Sequence, residues 1–142
     1  MPLVTRIRPL AIAVAGIAGA LALGAAQQPI ALAKTSPGVW EITGVPGTKA
    51  PVRECFADLG TLAQFEHRKA SCNRRVLSNN ETSTIIEYTC AGGGFGHSEI
   101  SLITPRNLRI STQGISDNLP FNYVLQARRV GDCPKSVSAS RH

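Results

Sequence analysis

The chain lacks most of what redox, metal and nucleotide chemistry require. It has no Cys-x-x-Cys pair, so neither a thioredoxin-type redox centre nor a zinc knuckle is indicated. Three scattered histidines, His67, His97 and His142, and nine acidic residues show no metal-ligand spacing. No Gly-Lys-Ser/Thr follows the run Gly92-Gly93-Gly94-Phe95-Gly96, and the residues after it read as a strand. A phosphate loop needs a helix there, to aim backbone N–H groups and the dipole at the anion, so the run reads as a flexible strand connection. No cofactor is implied. Aromatics are also scarce: Trp40, Phe56, Phe65, Tyr88, Phe95, Phe121 and Tyr123 are all there are. Trp40, the sole tryptophan, reads as a core plug.

What is present begins with a leader. Arg6 and Arg8 make a positive start, Leu10 to Ala26 is uncharged and rich in Ala, Leu, Ile, Val and Gly, and Ala31-Leu32-Ala33 closes the segment. Small residues at the first and third places of that triplet suit a signal peptidase, so residues 1 to 33 read as a cleavable signal peptide cut after Ala33. A second possible cut follows Gly24-Ala25-Ala26. With no cysteine near either cut, lipid attachment at a new N-terminus is not available, and no stable membrane insertion is expected after cleavage. Loss of Arg6 and Arg8 lowers the formal charge by two from the +6 of the whole chain. A domain of this size buries about two-thirds of its unfolded surface, which makes one small core that bracing would help.

Cys55, Cys72, Cys90 and Cys133 all follow the cut. An even number in an exported chain indicates disulfides. Arg74 to Leu77 and Thr84 to Thr89 are rich in β-formers, with Ser78-Asn79-Asn80-Glu81 as turn material between them. Folding about that turn sets Cys72 opposite Cys90, close to disulfide reach, which leaves Cys55 to pair with Cys133.

Elsewhere, Val39 to Thr43 reads as a strand, Gly44 to Pro51 as a loop, and Val52 to Phe56 as extended or irregular. Asp58 to Lys69 reads as the one helix, capped by Asp58, with Leu59, Leu62, Ala63 and Phe65 as its apolar stripe. After Cys72 the pattern alternates with period two: Ile86 and Tyr88; Ile100 and Leu102; Leu108 and Ile110; Phe121, Tyr123, Leu125 and Ala127. Breaks fall at Gly92 to Gly96, Pro105 to Asn107 and Gln113 to Pro120. This predicts a mainly β (α+β) fold: one twisted antiparallel meander sheet of about six strands with one short helix, open or curled into a partial barrel. The domain is expected over residues 34 to 133, and 134 to 142 reads as a disordered tail.

Other candidate chemistry is thin. Gly96-His97-Ser98 resembles part of a nucleophile elbow, but the closing glycine and the strand-to-helix turn are missing. Ser98 with His67 is the only pair from which a hydrolase could be built. Asn80-Glu81-Thr82 is a formal glycosylation sequon at a hairpin tip, meaningful only in a eukaryotic secretory pathway. Arg68-Lys69, Arg74-Arg75 and Arg128-Arg129 are basic doublets; on strands, the two side chains of a doublet point to opposite faces and form no stripe. They read as solvated charges, with attraction to an anionic envelope surface as the functional alternative. Nucleic acid is not an expected partner for an exported chain of this charge.

Pro37-Gly38-Val39-Trp40-Glu41, Arg53-Glu54-Cys55, Cys72, Tyr88-Thr89-Cys90 with its glycines, and Arg129-Val130-Gly131-Asp132-Cys133 follow one another in that order. Together they resemble the domain of unknown function 3617 family, small exported proteins of Gram-negative bacteria. The resemblance spans Pro37 to Cys133, although Gly44 to Pro51 is shorter than the family's usual linker and lacks its methionines. It implies periplasmic residence and a disulfide-braced fold, and no activity. The expectation is a non-catalytic periplasmic module that binds an envelope component or a protein partner. A small-molecule carrier with a cup-shaped sheet is the alternative, and a Ser98/His67 hydrolase the third reading. An inhibitor of a host hydrolase would be a variant of the first, though basic lysozyme would repel a basic inhibitor.

Overall fold

The computed structural model describes Gly16 and residues 28–135. Most of the expected signal peptide, and the expected tail from residue 136 onward, lie outside the described residues. The chain runs through a helical turn α1 (Ile30–Ala33), strands β1 (Gly38–Thr43) and β2 (Val52–Phe56), and a 3-10 helix (Leu59–His67). Then come β3 (Cys72–Asn79), β4 (Ser83–Cys90), β5 (Phe95–Thr104), β6 (Asn107–Ser116) and β7 (Leu119–Gly131). The seven strands form one antiparallel sheet in the order β2-β1-β7-β6-β5-β4-β3, mainly β as expected. The sheet does not close into a barrel: β2 and β3 are its two edges.

That order dictates the layers. The link from β2 to β3 must carry the chain from one edge to the other, so the 3-10 helix crosses one face. Trp40, Ile42, Leu125, Ala127, Leu108, Ile110, Ile100 and Ile86 point from the strands into this face. Leu59, Leu62, Ala63 and Phe65 meet them from the helix, with Leu32 of α1 alongside. Trp40 is fully buried, as a core plug should be.

The expected α-helix at Asp58 to Lys69 is a 3-10 helix, broken at Gln64 (φ −107°, ψ 37°). Leu59, Leu62 and Phe65 recur every three residues, which puts them on one face of a helix with three residues per turn. At the break, the Gln64 amide donates to the carbonyls of His67 and Ala70. Asp58 caps the start as predicted, accepting from the Gly60 N–H at 2.9 Å.

Other boundaries differ from expectation as well: β3 runs on through Ser78 and Asn79 of the predicted turn, and β5 begins at Phe95 inside the predicted break. Val52 to Phe56 is a true edge strand, which makes seven strands. The predicted break from Gln113 to Pro120 shrinks to a two-residue turn at Asp117 and Asn118, both left-handed (φ 50° and 62°). Successive left-handed residues make the primed turn that matches strand twist, and Asp and Asn tolerate that backbone well.

Both disulfides have the expected partners. Cys72 and Cys90 face each other directly across β3 and β4, and Cys55 is bridged to Cys133 with Cα atoms 5.5 Å apart.

Candidate functional site: a glycine-floored trough on the open sheet face

Residues in register build one row across four strands: Tyr88 on β4, Gly96 on β5, Gly114 on β6 and Phe121 on β7. On the covered face the two rings fold inward over the two glycines. A Cβ on Gly96 would lie 2.6 Å from the Tyr88 phenol, and one on Gly114 would lie 2.9 Å from the Phe121 ring. His67 packs against both rings, with centroids 5.5 Å from Tyr88 and 5.9 Å from Phe121.

On the opposite, uncovered face a trough runs over the backbone of the same two glycines. Alternation along each strand puts the neighbouring rows outward. Phe95, Ile115 and Pro120 align on one side as an apolar wall. His97, Gln113 and Asn122 align on the other as a polar wall, with Glu87 beyond His97. The hollow between them measures about 700 Å³ and is open to solvent. Phe95 is half exposed, and Leu119 at the β7 end is more exposed still.

On the covered face, the end of the 3-10 helix gathers buried and half-buried ionisable groups. The Tyr123 hydroxyl donates to the Glu66 carboxylate at 2.6 Å, and the Tyr88 hydroxyl lies 3.0 Å from His67 Nδ1. Arg68 makes two 2.8 Å bonds to Glu54 of β2 and lies 4.2 Å above the Phe65 ring, fastening the helix end to the sheet edge. The Glu54 bond raises the Arg68 pKa further.

Burial raises both phenols well above the ordinary tyrosine value, and Glu66 adds to the shift through its charge on Tyr88 and through both hydrogen bond and charge on Tyr123. A phenol whose pKa rises on folding stabilises the fold below its unfolded value of about 10, and that contribution fades as pH climbs toward the folded value. These are the chain's only two tyrosines. Phenolate absorbance is therefore expected to appear only with alkaline unfolding, both rings together. A step near pH 10 in protein that is still folded would contradict this.

The structure does not bring the Ser98/His67 pair together. Ser98 is fully buried on β5, donating to the Ala63 carbonyl and lying 2.7 Å from Thr112 Oγ1, while His67 is held by Tyr88. Among the described residues no three His, Cys, Asp or Glu side chains converge as metal ligands would. No described helix is long and apolar enough to cross a membrane. Asn80 of the sequon spends its side chain on the β3–β4 turn, accepting from the Thr82 and Ser83 N–H groups.

The basic doublets do split between faces, and acids neutralise most of them. Arg74 turns inward to Asp58 and Arg75 outward to Glu87. Arg128 pairs with Glu41, Arg129 with Asp132, and Arg68 with Glu54. Little free cationic surface is left on them for an anionic envelope, which moves attention to the trough. Sequence patterning missed the trough because its walls come from four strands whose register no local pattern specifies.

No family model matches this chain, and no curated protein or solved structure is significantly similar to it.

Proposed function

We propose that this is a periplasmic, non-catalytic binding module, exported on a cleaved signal peptide, whose trough docks a segment of a partner protein. Placement among the small exported proteins of the domain of unknown function 3617 family is part of the same proposal. Two disulfides in so small a chain fit an oxidising compartment. The observation that carries the binding reading is the trough itself, with an apolar wall of Phe95, Ile115 and Pro120 facing a wall bearing the amides of Gln113 and Asn122.

Such a pair of walls suits a peptide: apolar side chains pack on one side, and backbone amides find donors and acceptors on the other. A carried small molecule is ordinarily enclosed over most of its surface, and an open trough covers an occupant from one side only. The hollow therefore fits part of a larger partner better than freight.

A photoreactive residue at Phe95, placed in the full chain and exported to a Gram-negative periplasm, tests the reading. The control position is Arg109, also on the open face but away from the trough. A discrete protein adduct from position 95 and none from 109 is the expected result. A lipid or glycan adduct would overturn the choice of partner. Equal adducts at both positions, or none, would overturn the site.

A further inference from the structure

We infer that the exported chain is cut after Ala26, and that Pro29 to Ala33 is a working part of the mature domain. The inference rests on the export reading above. Sequence allows two cuts, after Ala33 and after Ala26, and the structure separates them by what each would remove.

A cut after Ala33 discards α1, and α1 is built into the core. Pro29 is buried, Ala31 is fully buried, and Leu32 is 1% exposed within the hydrophobic cluster. The turn packs on β4 and β5, the two strands beside the β3 edge. Polar contacts hold it there too. The Ile30 N–H donates to the Asn79 side chain at 2.7 Å, and the Ala33 N–H closes the turn on the Pro29 carbonyl at 3.1 Å. Ala33 and Lys34 face solvent, with Lys34 reaching Glu81 at 3.6 Å. Burial of Ala31 and Leu32 with exposure of Ala33 is the pattern of a docked helical turn, whereas a discarded leader has no reason to complement the domain that follows it.

Removing Leu32 would leave a hole the size of a leucine side chain under the sheet, beside a groove of about 860 Å³ already bordered by Pro29, Ala33 and Thr35. A cut after Ala26 avoids this loss. Gly24-Ala25-Ala26 places small residues at the first and third positions that a signal peptidase reads, directly at the end of the apolar run. Water adds across the Ala26–Gln27 bond, its hydroxyl going to the Ala26 carbonyl and its hydrogen to the Gln27 nitrogen. The mature chain then begins at Gln27.

The test is the intact, unreduced mass of protein recovered from the periplasm after expression of the full chain. A mass beginning at Gln27 and lowered by two disulfides is expected, allowing for ring closure of an N-terminal glutamine with loss of ammonia. Ala26→Tyr should then abolish that product, while Ala33→Tyr, at an exposed position, should leave the start unchanged. A mass beginning at Lys34 overturns this inference and leaves export standing. A mass retaining Met1 with free thiols overturns export itself. As a second readout, purified chains beginning at Gln27 and at Lys34 should differ in melting temperature by on the order of 10 °C, the shorter being lower. Equal melting temperatures would mean that the turn contributes nothing to the fold.

Discussion

Gly114→Ala is expected to cost about 3 kcal/mol or more, enough to leave little folded protein in a domain of ordinary stability. The added methyl would be driven into the Phe95 backbone carbonyl of the neighbouring strand, and would lie 2.7 Å from the Gly96 Cα and 2.9 Å from the Phe121 ring. Backbone in a hydrogen-bonded ladder cannot step aside as a side chain can, so the β5–β6 register or the Phe121 ring must give way. For Gly96→Ala the nearest atoms belong to the Tyr88 ring, which can shift at the expense of its contact with His67, so its cost should fall between about 1 and 3 kcal/mol. Gly131→Ala meets nothing within 4 Å and should stay within about 0.5 kcal/mol of the parent. Urea unfolding of the three variants measures the series. If Gly114→Ala is no worse than Gly131→Ala, the glycine pair is not what lets the two rings lie down on the sheet.

The same pair shows where sequence reading stops. Alternation located the later strands because burying one face of a sheet imposes a period of two, and Leu108-Arg109-Ile110 or Leu125-Gln126-Ala127 states it within a few residues. The β3–β4 hairpin was also legible, since a polar turn between two β-rich runs sets Cys72 roughly opposite Cys90, although the bulge between Val76 and Ser78 carries no such signal. Gly96 and Gly114 carry no such local signal. A glycine inside a strand pattern looks like an interruption, so both fall in predicted breaks, although each sits in a strand opposite the other. What makes them strand residues is the pair of rings supplied from β4 and β7, which restore the apolar cover that glycine lacks. The trough lies over the same backbone on the other face, and its walls meet only through the β5–β6–β7 register, so it is hidden from local pattern as well. The burial of Leu32 is hidden for another reason: an apolar residue in an Ala-rich stretch has the same composition in a leader as in a core, and only its packing shows it in the hydrophobic cluster.

Replacing Cys55 and Cys133 together by alanine is expected to destabilise the domain more than replacing Cys72 and Cys90. In the chain-entropy treatment a bridge contributes by shrinking the unfolded ensemble, and the contribution grows with the loop it closes. Cys55 and Cys133 are 78 residues apart in sequence, which corresponds to about 4.5 kcal/mol, while the separation of 18 for Cys72 and Cys90 corresponds to about 3 kcal/mol. Position widens the gap. Cys72 and Cys90 lie opposite each other on a hairpin that the turn at Asn80 already brings together, so the ladder retains their neighbourhood without the bond. Cys55 lies on the edge strand β2, and its bridge ties that edge to the chain just beyond β7 across Val39 of β1, which pairs with Cys55 on one side and Gly131 on the other. Without it β2 keeps the β1 ladder, the packing of Phe56 in the core, the Arg68–Glu54 contact and the Arg53–Glu41 pair. Exposed pairs of the latter kind add at most about 1 kcal/mol. Melting temperature should therefore fall by roughly 15 °C or more for the Cys55/Cys133 double variant, and by less for the Cys72/Cys90 variant. Hydrogen exchange should show β2 amides losing protection first in the former. Equal losses, or a larger loss from the hairpin bridge, would mean that the unfolded chain is already compact enough to keep residues 55 and 133 close, and that bracing of the β2 edge is not what this disulfide does.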